Sequence, residues 1–135
     1  MHEVHPPTPT RVSDVLVDTA VWIDHLRRGD RHLVSLLDEG AVLGHPWVVG
    51  EVALGSIPGR SATLGLLAQL PQATAATPFE VMAMIETRRL FGTGLSLVDA
   101  HLLASTLITP GARLWTRDRR LRAAAEEIGR AYVPN

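Results

Sequence analysis

Val15-Leu16-Val17-Asp18-Thr19-Ala20-Val21-Trp22-Ile23-Asp24 decides the fold of this chain. Three consecutive aliphatic residues without polar alternation describe a short strand buried on both faces, as in parallel sheets. Asp18 ends the run. Asp18 or Thr19 then caps a helix reaching about Arg28, with Val21, Trp22, Ile23 and Leu26 as its apolar surface. The same alternation continues downstream. Gly29-Asp30 breaks the first helix, and Arg31 to Glu39 forms a second that stops at Gly40. Ala41 to Gly44 is a short second strand. Pro46 opens a helix that Gly55 or Pro58 closes. Ser61 to Leu70 is a Leu-rich helix, and Gln72 to Ala76 is a third strand of poor β-propensity.

Thr77-Pro78-Phe79-Glu80 is a capping box starting a helix to about Phe91, and Gly92-Thr93-Gly94 is a loop. Ser96-Leu97-Val98-Asp99 starts the next helix, to Leu107. Arg113 to Thr116 is a strand, and the last helix runs from about Asp118 to Ile128. Gly129 ends that helix, and Ala131 to Val133 adds a short edge strand. Short apolar strands alternating with helices predict an α/β fold with a parallel sheet covered on both faces. The 135 residues suit one domain, spanning 14–135. Residues 1–13 carry three prolines and no apolar period, so they read as a flexible leader. His2 and His5 in that leader offer at most adventitious metal contacts.

Composition excludes several chemistries. There is no cysteine, so disulfides, thiolate catalysis and Cys-based zinc sites are out. All 13 basic residues are arginine. Without lysine there is no P-loop and no phosphoryl transferase that needs a catalytic Lys, and no G-x-G-x-x-G follows the first strand. No apolar run approaches the roughly 20 residues of a membrane span, and no secretory h-region precedes Asp14. A cytoplasmic location is expected. Net charge is −1, which exerts no global pull toward nucleic acid. With Trp 3, Tyr 1 and Phe 2, a single-strand binder built on stacking is disfavoured.

Four acids carry the functional signal: Asp18, Glu51, Asp99 and Asp118. Each has a structural use of its own. Asp18 and Asp118 can cap helices, and Asp99 is a capping-box acid favoured by the helix dipole. Glu51 lies among Trp47, Val48, Val49, Val52, Ala53 and Leu54, where burial would demand an arginine or a metal as partner. In a parallel sheet, strand C-termini and helix N-termini share one rim, where ligands bind. Four carboxylates there repel one another unless a cation sits among them. An oxygen-rich site of this kind suits Mg²⁺ or Mn²⁺ and phosphodiester hydrolysis.

The runs Val15 to Asp24, Gly50-Glu51-Val52-Ala53-Leu54-Gly55, Leu97-Val98-Asp99-Ala100 and Leu114-Trp115-Thr116-Arg117-Asp118-Arg119-Arg120-Leu121 resemble the four acidic motifs of PIN-domain ribonucleases. More closely, they resemble VapC-type toxins of bacterial toxin–antitoxin systems. The resemblance covers residue 15 to the C-terminus. It implies a PIN-like three-layer α/β/α sandwich with a short central parallel sheet in the order 3-2-1-4-5. It implies that Asp18, Glu51, Asp99 and Asp118 are catalytic metal-site acids for Mg²⁺ or Mn²⁺. Thr19 and Thr116 match hydroxyl positions that hold water, metal or phosphate. An RNA substrate, a VapB-like antitoxin and a homodimer are implied as partners. The 13-residue leader, and Ala20 where the family often has a small polar residue, depart from the pattern.

Arg117, Arg119, Arg120 and Arg122 flank the last acid and could grip the RNA backbone, Arg117 foremost. His101, two residues past Asp99, is read as a polar surface or interface histidine, and Asp24 as a cap or partner of Arg27 or Arg28. Trp22, Trp47 and Trp115 are read as core or dimer surface. A DNA or structure-specific nuclease would use the same acids. A catalytically silent PIN-like binding module would typically have lost one or more of them.

Overall fold

A computed structural model describes residues 14–134; the expected leader, with His2 and His5, lies outside the described residues. Strand β1 (Val15–Val17) is central. It pairs in parallel with β2 (Val42–Leu43) on one side and β3 (Arg113–Trp115) on the other. All three β1 side chains are fully buried, which explains the unbroken aliphatic run. Outside the named strands, Gly44 bridges Gln72 and Leu114 bridges Ala131, both in parallel. The chain segments therefore lie in the order 3-2-1-4-5, with the third and fifth reduced to single bridges. Pro71 beside Gln72 has no N–H to extend a ladder, and Ala73, Thr74 and Ala75 offer little β-propensity.

Among the described residues, seven helices surround this sheet in a three-layer α/β/α arrangement: α1 (Thr19–Arg28), α2 (Arg31–Asp38), α3 (Pro46–Leu54), α4 (Arg60–Gln69), α5 (Pro78–Thr87), α6 (Leu97–Ile108) and α7 (Arg119–Glu127). Their starts are set by local chemistry. Asp18, Asp30 and Asp118 cap α1, α2 and α7 through their carboxylates, while α5 and α6 carry the two capping boxes foreseen at Thr77 and Ser96. Helix α5 is shorter than its sequence suggests. Arg89 adopts a left-handed φ of 53°, and Leu90 N–H bonds back to the Ile85 carbonyl at 3.0 Å, closing the helix before Phe91.

Helix α6 is buried along most of its length, from Ala100 to Thr106. It packs on α5, α7, α3 and β3. This corrects the surface assignment of His101, which is 4% exposed and stacks on Trp47 with ring centroids 4.8 Å apart. Neighbouring His45 is fully buried. Its Nδ1 accepts from the Trp47 N–H at 3.1 Å, capping α3. That leaves Nε2 to carry the proton and donate to Ser105 Oγ at 2.8 Å. Ser105 Oγ also accepts from Ala76 N–H, so this one polar knot joins α3, α6 and the segment before α5.

Burial, with the nearby His101, lowers the pKa of His45 from 6.5 to about 4. The folded protein thus binds fewer protons at this ring than the unfolded chain. Stability is intact above pH 6.5 and is lost as pH falls toward 4, by about 1.4 kcal/mol per unit at most. Thermal melts across that window should show the loss in wild type. A flatter profile is expected for His45→Gln, which keeps a donor toward Ser105 but cannot titrate; parallel profiles would exclude His45 as the cause.

Candidate active site

The ends of β1 and β3 are tied together by the Asp18 N–H, which donates to the Trp115 carbonyl at 2.9 Å. This sets Asp18 beside Thr116. The Thr116 hydroxyl donates to Asp18 Oδ2 at 2.7 Å and accepts from the Asp118 N–H at 3.0 Å. One hydroxyl thus positions the first and last acids. Asp18 Oδ1 accepts from the Thr19 N–H at 2.8 Å, and the Thr19 hydroxyl donates to Glu51 Oε1 at 2.6 Å. That bond couples the start of α1 to the middle of α3. Asp99 is held by its capping box: Oδ2 accepts from the Ser96 N–H, and Ser96 Oγ accepts from the Asp99 N–H. Asp118 Oδ1 accepts from the Leu121 N–H at 2.9 Å as the cap of α7.

Burial falls differently from the sequence expectation. Glu51 is exposed and its partner is Thr19, not an arginine. Helix α3 buries Val48 and Val52 instead and turns Glu51 outward. The buried acid is Asp18, at 8% exposure. Burial is the main force raising its pKa above the ordinary 3.8; the Thr116 hydroxyl and Thr19 N–H pull it down, and the charges of Asp99 and Glu51 push it up again. The charged form is thus strained in the metal-free fold, and acidification through the raised value relieves it.

Asp99 and Glu51 therefore both lie close enough to act electrostatically on Asp18. Among the described residues, none of the four acids forms an ion pair. Nor do three His, Cys, Asp or Glu side chains among them stand close enough to enclose an ion as they are. The donor set is nevertheless all oxygen and its charge is uncompensated, which fits a hard divalent cation. Closing on one takes side-chain rotation, for which exposed Glu51 has the most freedom. Asp118 is exposed and reaches the cluster through Thr116.

Arg117 is not idle at the surface. Its Nη1 donates to Asp24, and its Nη2 donates to Asp30 at 2.8 Å. The guanidinium also lies 5.7 Å from the Trp115 ring centroid. It clamps the β3–α7 turn onto α1 and the cap of α2, and thereby holds Thr116 and Asp118 in place. Asp24 does pair with Arg28, at 3.2 Å, as foreseen. Its bond to Arg117, 93 residues away in sequence, had no local signal. Trp22 and Trp115 are core residues, whereas Trp47 is 42% exposed.

The PIN domain family model matches residues 15–127. Two relatives named Ribonuclease VapC32, from Mycobacterium tuberculosis strains CDC 1551 / Oshkosh and ATCC 25618 / H37Rv, are each 52% identical over 119 residues. Each alignment covers 88% of this chain and 96% of the relative.

Thr116→Val should move the Asp18 titration further upward, because a bond to the charged form is lost. It should also lower stability at neutral pH by about 1–3 kcal/mol, the cost of leaving a buried carboxylate short of a donor. Carboxyl-carbon NMR titration and urea unfolding measure the two effects. An unmoved Asp18 titration would show that Thr116 does not govern this acid.

Proposed function

Because the chain belongs to the PIN-domain family, as a VapC-type member, we propose that it is a metal-dependent endoribonuclease that cuts RNA phosphodiester bonds. The observation carrying this reading is the uncompensated set of Asp18, Glu51 and Asp99, with Asp118 joined to Asp18 through Thr116. The 52% identity to proteins named ribonucleases supports the choice of RNA.

Asp18, Glu51, Asp99 and Asp118 would hold Mg²⁺ or Mn²⁺. Once bound, such an ion supplies Lewis-acid charge toward the scissile phosphate and a water activated for in-line attack. The chain's own contribution is positioning. Thr116 and the Thr19 N–H donate to Asp18, which favours its charged form against the burial that raises its pKa and fixes its direction. Thr19 steers Glu51 toward Asp18. The N-terminus of α6 favours negative charge where Asp99 sits. Arg117 holds the turn that carries Thr116 and Asp118.

In the cytoplasm such an enzyme would act as a toxin and need a VapB-like antitoxin. A groove of about 310 Å³ between α1 and α4, lined by Trp22, Leu26, Leu37, Leu67 and Leu70, is suited to an apolar helix from that partner. A basic side chain from the same partner could occupy the acidic rim in place of metal. Exposed Phe79 and Met82 on α5 and Leu97 on α6 support a homodimer, since large exposed apolar side chains favour cover.

Purified protein should cleave RNA only with Mg²⁺ or Mn²⁺, and Asp18→Asn or Asp99→Asn should abolish cleavage. Asp18→Asn should not lower the metal-free melting temperature, because it removes a strained buried charge. Mn²⁺ at 100-fold above its dissociation constant should stabilise wild type by about 2.7 kcal/mol and Asp118→Ala by less. Cleavage that persists in EDTA would refute metal dependence. Equal cutting of DNA would favour a general nuclease.

A further inference from the structure

Arg120 lies in the first turn of α7, two residues after Asp118. Its side chain crosses to the loop that leads into α6. A Cβ added at Gly94 would stand 2.7 Å from Arg120 Nη1 and 3.0 Å from Cζ, so the guanidinium occupies the space a side chain at position 94 would take. Gly94 also has φ +84°, a conformation glycine adopts at no steric cost. Two residues further on, Ser96 caps α6 and bonds Asp99. The Arg120 head group thus spans the gap between the helix start that carries Asp118 and the one that leads to Asp99.

Among the described residues Arg120 makes no ion pair and no hydrogen bond, and it is exposed. Several other arginines among the described residues are occupied. Arg117 is held by Asp24 and Asp30. Arg130 donates to the carbonyls of Thr106 and Ala112, and Arg60 to that of Ala53. Arg122 approaches Glu126 at 3.7 Å and lines a hollow with His32, Tyr132 and Thr116, on the side of Thr116 away from Gly94 by its place on the helix. It sits about 200° around the helix from Arg120. Arg119 is exposed as well, but points about 100° away around the same helix. A guanidinium seated against backbone, with its donors unused at the edge of an acidic rim, has the form of a phosphate fork.

We infer that Arg120, seated on Gly94, is the residue that grips the RNA backbone, binding a phosphate of the single strand next to the one placed among the acids. The inference rests on the ribonuclease reading above. It replaces Arg117 as the substrate arginine, since the charge of Arg117 is already offset by the two carboxylates that hold it.

The test compares wild type, Arg120→Ala, Arg120→Lys and Arg122→Ala. Binding of a fluorescein-labelled single-stranded RNA is followed by anisotropy in EDTA across a salt series, and KM and kcat are measured with Mn²⁺. Loss of one phosphate contact should make the slope of log affinity against log salt shallower by about 0.7. Arg120→Ala should show that change and a raised KM with kcat nearly kept, the pattern of lost uniform binding. Arg120→Lys should restore the slope, and Arg122→Ala should match wild type. Equal melting temperatures would show that the fold is intact. A wild-type slope and KM in Arg120→Ala, in an enzyme that cleaves RNA, would overturn this assignment alone. A wild-type protein that cleaves no RNA with either metal would instead overturn the ribonuclease reading.

Discussion

The hydrogen bond from Thr116 to Asp18 holds the rim together. It joins the carboxyl ends of two strands that are 98 residues apart in sequence, at a point where one acid is buried. The backbone bond from Asp18 to Trp115 fixes the register that makes it possible. Everything around it follows from that register. Asp118 is placed because its N–H bonds the same hydroxyl, and Glu51 is placed because Thr19 follows Asp18 directly. The strain in the site has the same source. An acid buried at the end of a central strand, with two more acids acting on it, has its pKa raised, and only local donors pull it back down.

Much of this was legible in the chain. The aliphatic run at Val15, the capping boxes at Thr77 and Ser96, and the glycine stops are local signals, and local chemistry decides them. Three of the acids were legible for a related reason: Asp18, Asp99 and Asp118 stand at helix starts, which a parallel sheet brings to one rim, whereas Glu51 lies in the middle of α3. What escaped was decided by packing. Glu51 has apolar neighbours in sequence, but a helix distributes neighbours around its axis, and Val48 and Val52 take the buried face. The spacing of His101 from Asp99 points it away from the acids, toward a surface or an interface. Helix α6, however, is covered on most sides, so its histidine goes inside with the rest.

The role of Arg117 was the least accessible. Its neighbours Thr116 and Asp118 suggested substrate contact, whereas its partners lie on α1 and at the cap of α2. Long-range ion pairs leave no periodicity to read. The clamp also shows a division of labour in a chain without lysine: with arginine as the sole strong cation, some guanidinium groups hold the scaffold and others remain available at its surface.

The sheet itself has a consequence beyond the site. Its outer segments contribute a single bridge each, at Gln72 and Ala131, and then turn away. A longer outer strand would present a row of unpaired amides and carbonyls to any neighbouring molecule. Here almost no such template exists. The price of a narrow sheet is few ladder bonds; the return is a molecule poorly suited to strand-by-strand aggregation, even where its helices expose apolar side chains.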